Sequence, residues 1–371
     1  MANSRPLDAA APLASAPTLA AVLNAAYAAR HGHGFAYYRV TPTRETPESR
    51  GGNAQFGGAK GDYCTRNGAL GVNRKTPWCK LLALWAVVQE EEAAAAACPA
   101  DVILFIDSDA YVTQDGAALS VESLLASTAR LRPHQDVYEQ PEPPGGYTRW
   151  EPPPGWRAPA AQFAFASNAP WWPAGPTTGT FAILGVGSPA GRATAAAVFA
   201  AWWDAPHPAL PTAYATLKSV PMTYSWNEQH PYEQTPAMVA ADAATAARLF
   251  DRATADAAAA VRANPLLAIA RHMGVLDMET FRERPGQFVR HASSFNPGAR
   301  IGLLREAASK LGLDAPALAA RVASLRTVDF DAYAADARLR DGFAARTATL
   351  DVAALLADGD VRPRAGGGGG G

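Results

Sequence analysis

The sequence predicts an α/β protein, a mixed sheet flanked by helices, and three observations carry that prediction. Behind Pro77, which suits the first position of a helix, Leu81, Leu84, Trp85 and Val88 recur at helical spacing as far as about Ala97. After Cys98-Pro99 comes Val102-Ile103-Leu104-Phe105-Ile106, an apolar run that reads as a strand buried on both faces. Asp107-Ser108-Asp109 ends that strand. Two carboxylates so close at a strand end cannot both be buried without compensation. The carboxyl ends of strands in open α/β sheets are also where ligands bind. Two hard oxygen donors there suit Mn2+ or Mg2+, and such a cation would hold a diphosphate. A turn or helix cap built on Ser108 or Asp109 is the plain alternative.

The other elements run in order along the chain. Residues 1–18 are rich in Ala, Pro and Ser and read as irregular, with Pro6, Pro12 and Pro17 interrupting any strand. Leu19 to Arg30 reads as a helix closed by His31-Gly32-His33-Gly34, and Phe35 to Val40 as a strand. Thr41 to Gly71 is a polar excursion, and residues 133–160 form a Pro/Gly-rich loop or insertion of the kind that covers sites. Gln162 to Ser167 and Thr178 to Leu184 are strand candidates, separated by a helix over Gly191 to Trp203 from a second helix over Glu233 to Leu249. Phe288 to His291 is a short strand. Residues 301–358 read as helical through Leu303, Leu304, Ala307, Leu311, Leu318, Val322 and Leu325. The chain ends in a Gly tail.

Composition narrows the partners. The 371 residues, 49% of them hydrophobic, suit one large domain or two modest ones. With 33 basic and 34 acidic residues and no basic run, no nucleic-acid partner is expected. Cys64, Cys79 and Cys98 lack zinc spacing and leave at least one thiol unpaired, and a Cys64–Cys79 bridge is open. Leu19 to Ala29 is too short to span a membrane, and no basic region precedes an apolar core at the N-terminus. The expectation is a chain that works without an anchor, or one whose start lies outside this sequence.

Several segments, in order, resemble a glycosyltransferase family that includes plant xyloglucan xylosyltransferases and fungal galactosyl- and mannosyltransferases. They are Asn24 to Gly32 (its first helix, with Tyr27 and His31), Trp78-Cys79-Lys80, Leu104 to Ala110, Thr178-Gly179-Thr180-Phe181, Trp203 to Pro206, Tyr232 to Ala237 and Gln287 to Ala292. The resemblance spans roughly residues 20–300. It implies a GT-A-like (Rossmann-like) mixed sheet over residues 19–300, a helical C-terminal extension over 301–360, and a Gly tail over 361–371.

The activity it implies is metal-dependent transfer of a hexosyl or pentosyl group, with retention, from a nucleotide-sugar (UDP ahead of GDP) to a carbohydrate acceptor. Asp107, Asp109 and His291 would hold the metal. Asp107, Ser108, Lys80, Trp78 and Gly179 would line the nucleotide or diphosphate. Gln234, with Glu233, would sit beneath the anomeric carbon, where Glu228-Gln229 is an alternative register. The resemblance also implies a Golgi lumen and membrane attachment.

Each residue also has an ordinary structural role: a hydrogen-bonded strand-end histidine for His291, a solvated helix residue for Lys80, core for Trp78, first-turn helix residues for Glu233 and Gln234. Trp202 and Trp203 read as core, and Trp171-Trp172 as a sugar-stacking surface. His230 and His272 carry no pattern.

The sequence departs from the family in three places. No strand is legible before the Asn24 helix, Ser293-Ser294 follow His291 where the family has Gly, and Gly185-Val186-Gly187 replace an Arg. These departures motivate a rival: a non-catalytic carbohydrate-binding or scaffolding relative. A metal-dependent phosphohydrolase is a third reading, disfavoured because no phosphate-binding loop adjoins Asp107.

Overall fold

The computed structural model describes residues 1–3, 5–41, 63–65, 74–75, 78–94, 101–127, 132–133, 162–167, 176–204, 273–275, 288–292 and 296–341. A two-residue strand, β1 (Ala2–Asn3), leads through helix α1 (Ala16–Arg30) to β2 (Tyr37–Thr41). A β-ribbon joins β3 (Tyr63–Thr65) to β4 (Arg74–Lys75). Helix α2 (Cys79–Ala94), strand β5 (Val102–Ile106), strand β6 (Ala110–Val112) and helix α3 (Val121–Ser127) come after it. Next are β7 (Arg132–Pro133), β8 (Gln162–Ser167), β9 (Pro176–Leu184) and helix α4 (Pro189–Asp204). The last elements are β10 (Met273–Val275), β11 (Val289–His291), α5 (Pro297–Lys310), α6 (Ala315–Ser324), β12 (Thr327–Asp331) and α7 (Ala332–Asp341).

Helices and strands alternate as the sequence predicts, but the described strands fall into four sheets rather than one. β1, β2 and β12 form a three-stranded parallel sheet; β5, β9, β8, β10 and β7 form a mixed five-stranded sheet; β6 pairs with β11, and β3 with β4. Two expectations are corrected. Ala2–Asn3 pairs in parallel with Tyr38–Arg39, so a strand does precede α1. Two residues are too few to show a period, which is why residues 1–18 look strandless in sequence. The C-terminal region is not wholly helical either. Thr327-Val328-Asp329-Phe330-Asp331 alternates in burial and pairs in parallel with all of β2. The leucines ahead of it, at helical spacing, mask that alternation.

Among the described residues, three apolar cores organise the layers. One gathers Leu81, Leu84, Trp85 and Val88 of α2, Phe199 and Trp202 of α4, and Phe105, Phe163 and Phe181 of the five-stranded sheet. Tyr38, Val40 and Phe330 join it, so α2 and α4 share one core with both large sheets. Trp202 and Trp203 are fully buried, as expected. A second core covers the opposite face of β5 and β9 with Tyr27, Ile106, Val112, Leu124, Ala182 and Phe288. A third packs α1 against α5 and α6 through Leu19, Val22, Leu23, Leu304, Leu318 and Val322. β5 is therefore covered on both faces, with Phe105 turned to the first core and Ile106 to the second.

Caps set the helix ends. Ser15, Asn296 and Asp314 each accept a backbone N–H from the first turn of α1, α5 and α6. Gly312, at φ 67°, makes the left-handed turn between α5 and α6.

Helix α1 fixes the stretch that leaves β5. The Asn24 amide donates to Ala110 O at 2.9 Å and its oxygen accepts from Val112 N at 3.0 Å. One side chain thereby satisfies the edge of β6 that β11 does not cover. Tyr27 donates its hydroxyl to Leu119 O at 3.0 Å, and His31 Nε2 lies 2.9 Å from Ala117 O. Burial pushes the Tyr27 phenol well up, so it stays a donor. Gly116 lies directly under Phe288, where an added Cβ would come within 2.9 Å of three backbone atoms.

Replacing Asn24 with Leu leaves two backbone groups unpaired. Urea unfolding should show a loss of roughly 2–6 kcal/mol, at about 1–3 kcal/mol per buried orphan; a change under about 0.5 kcal/mol would show that the clasp holds nothing. Cys79 is disulfide-bonded. With three cysteines in the chain, thiol titration of the denatured, unreduced protein should find one free thiol, and three would refute the bridge.

Candidate metal centre

The pleat of β5 and β9 decides which way the first carboxylate points. Phe105 pairs with Phe181 and Ile106 with Thr180, and Asp107 N extends the ladder by donating to Gly179 O at 2.7 Å. Alternation puts residues 103, 105 and 107, with 179, 181 and 183 opposite, on the face that looks towards α2. Lys80, in the first turn of α2, lies on that side. Its Nζ sits 3.0 Å from Asp107 Oδ1, 3.2 Å from Oδ2 and 5.3 Å from the Phe105 ring centroid. Lys80 is buried, so its charge needs that carboxylate, and Asp107 needs the amine.

A tight turn separates the two carboxylates. Ala110 N donates to Asp107 O at 3.0 Å, and Ser108 occupies the turn, half-buried. β6 then begins and pairs antiparallel with β11, placing His291 opposite Ala110. Ala292 N donates to Asp109 O at 3.0 Å, which continues the ribbon past His291. His291 Nε2 lies 3.0 Å from Asp109 Oδ1, and Arg300 Nη1 lies 3.0 Å from Asp109 Oδ2. Arg300 Nε also donates to Ala292 O at 3.1 Å. Burial pushes the Asp109 carboxyl up, but the hydrogen bond and charge of His291, together with Arg300 and Lys80, outweigh it and hold the carboxyl below the usual range.

Asp107, Asp109 and His291 each offer a ligand atom, and these atoms lie within 4.8 Å of one another. Two carboxylate oxygens and an imidazole nitrogen suit a divalent cation. The local backbone is shaped for this convergence. A Cβ at position 179 would stand 2.7 Å from His291 Cε1 and 2.8 Å from its Nδ1. Only a glycine lets the imidazole lie against β9 beside Asp107.

The structure thus brings together Asp107, Ser108, Asp109, Gly179, Lys80 and His291 from five elements or their ends. The Trp78 indole is fully buried in the first core, edge-on to Trp203 at 6.1 Å between ring centroids. Lys80 is not solvated; it partners Asp107. Glu233 and Gln234, the alternative Glu228 and Gln229, the helix expected over 233–249, Trp171 and Trp172 all lie outside the described residues, as does nearly all of 133–160. Gly185-Val186-Gly187, where the resemblance expects an Arg, is a tight turn. Gly185 has φ 80°, and Arg192 holds the Val186 and Gly187 carbonyls at 3.0 and 3.1 Å.

Arg300 is the site residue that the sequence alone does not single out. A signal existed: it is the fourth residue of α5, near the positive end of that helix's dipole, where a cation is disfavoured unless a carboxylate faces it.

No model of a known protein family matches the chain, and no curated protein is significantly similar to it. Among solved structures, the chain is similar to a glycosyltransferase involved in the glycosylation of the major capsid of PBCV-1. The identity is 12%, the TM-score 0.38, and the match covers 79% of this chain and 93% of that one. So distant a likeness decides neither fold nor activity, and a functional reading of this chain has to rest on its own geometry.

Gly179→Ala should force the His291 ring off β9. Isothermal titration with Mn2+ should show binding weakened at least tenfold, with about 1–3 kcal/mol lost in urea unfolding from overpacking. Unchanged Mn2+ binding would mean that the ring's place against β9 is irrelevant to the cation.

Proposed function

We propose that this chain is a metal-dependent glycosyltransferase that moves a sugar from a nucleotide-sugar donor to a carbohydrate acceptor. The observation that carries the proposal is the convergence of Asp107, Asp109 and His291, from segments some 180 residues apart, within 4.8 Å. The ordered resemblance of the surrounding segments to nucleotide-sugar transferases supports the substrate class. In this reading Asp107, Asp109 and His291 hold Mn2+ or Mg2+. A cation bound there supplies Lewis acidity to the donor's diphosphate and stabilises the charge that grows on the leaving nucleoside diphosphate.

The chain's own residues do the positioning. Asn24 and the β6–β11 register hold the Asp109–His291 pair, Gly179 gives the imidazole room, and Lys80 orients Asp107. The acceptor hydroxyl would attack the anomeric carbon from the face the diphosphate leaves. Its oxygen forms the new C–O bond as the bond to the diphosphate breaks, and its proton passes to the departing phosphate oxygen. That course retains configuration and needs no carboxylate nucleophile. Gln234 and Glu233 are the proposed residues nearest the anomeric carbon. A UDP-sugar is the proposed donor ahead of a GDP-sugar, and an oxidising lumen such as the Golgi the proposed compartment, to which a disulfide at Cys79 is suited. No helix among the described residues is long and apolar enough to cross a membrane.

The test is isothermal titration of the folded protein with UDP and with GDP, each with and without Mn2+. Mn2+-dependent binding of one nucleotide, lost in Asp109→Ala, is expected. Absence of binding to either by well-folded protein would overturn the proposal and favour a non-catalytic relative.

A further inference from the structure

We propose that Arg300 is an anion-binding residue of this site, which neutralises Asp109 while no metal is present and passes to the phosphate oxygens when a metal–diphosphate arrives. The inference rests on the transferase reading of the same site. Its basis is a balance of charge. Each carboxylate of the triad already has a cation at 3.0 Å: Lys80 on Asp107, and Arg300 on Asp109. A divalent cation entering this partly buried group therefore meets carboxylates that two other cations already occupy. It would crowd like charge around Lys80 and Arg300 in a site where bare charge is costly. A diphosphate brings negative charge for those cations to meet, so metal and diphosphate should each bind far better in the other's presence.

The two counter-cations differ in what they can do next. Lys80 is 7% exposed at its side chain and held over the Phe105 ring; it is shut in with Asp107. Arg300 is 29% exposed at its side chain, on the rim. Its Nε is anchored to the Ala292 carbonyl, next to His291, so the guanidinium can turn about that anchor without leaving the site. A guanidinium stays charged at any working pH, and its planar fork matches phosphate as well as carboxylate. Asp109 Oδ2, once released by Arg300, becomes available to the metal.

Wild type, Arg300→Gln and Arg300→Lys would each be titrated with Mn2+ alone and with Mn2+ in the presence of saturating UDP or GDP. In the wild type the nucleotide should tighten Mn2+ binding by about tenfold or more. Arg300→Gln should bind Mn2+ alone as tightly as the wild type or several-fold more tightly, because a competing charge has gone, and should bind Mn2+ with nucleotide about tenfold more weakly. That crossover is a result that mere loss of packing does not produce. Arg300→Lys keeps the charge, so its affinity for Mn2+ alone should stay at the wild-type value and most of the coupling should survive. Parallel weakening of both titrations in Arg300→Gln, shared by Arg300→Lys, would reduce Arg300 to a structural support and overturn the inference. No change in either titration would overturn it too. A wild type that binds neither nucleotide with Mn2+ fails the transferase reading itself, and this inference falls with it.

Discussion

The three-residue ribbon of β6 and β11 is the constraint on which the candidate site depends. β6 leaves the end of β5 through a turn that contains both carboxylates, and it is too short to hold its own register. β11 satisfies one edge and the Asn24 amide the other. A slip of one residue would turn His291 away from Asp109 and towards the opposite face. Register is therefore fixed by a buried side chain on a helix that itself carries none of the cation's candidate ligands. That helix is held in turn by α5 and α6 through the third core, so the C-terminal helices and the metal group share one support.

Charge is the second organising influence. Lys80 and Arg300 come from different ends of the chain and meet the two carboxylates from different sides. Neither pair is expected to add much net stability, because desolvation offsets attraction in such pairs. Their effect is on orientation and on which ligands the site accepts. In the proposal above, carboxylates already paired with Lys80 and Arg300 trap a bare cation less well than one that brings its own anions.

Several segments that resemble a transferase family turn out to serve architecture. In the first helix, Asn24 pins β6, while Tyr27 and His31 hold the turn after it through Leu119 and Ala117. Trp78 packs on Trp203. Gly179 is needed because an imidazole lies where its Cβ would be. A motif can thus mark a site through residues that shape it rather than through residues that touch a ligand.

The sequence by itself determined the local elements. Period and caps define α1, α2, α4 and the strands β5, β8 and β9 to within a few residues, since each arises from the spacing of its own apolar side chains. It also placed two carboxylates at a strand end and singled out His291. Only the tertiary structure decided what depends on pairing between distant segments: β1 and β12 as partners of β2, the division into separate sheets, Lys80 on Asp107, and Arg300 on Asp109. Strand pairing and ion pairing are contacts across the chain. Nothing in the neighbourhood of Arg300 in sequence names Asp109, and a two-residue strand has no period to read.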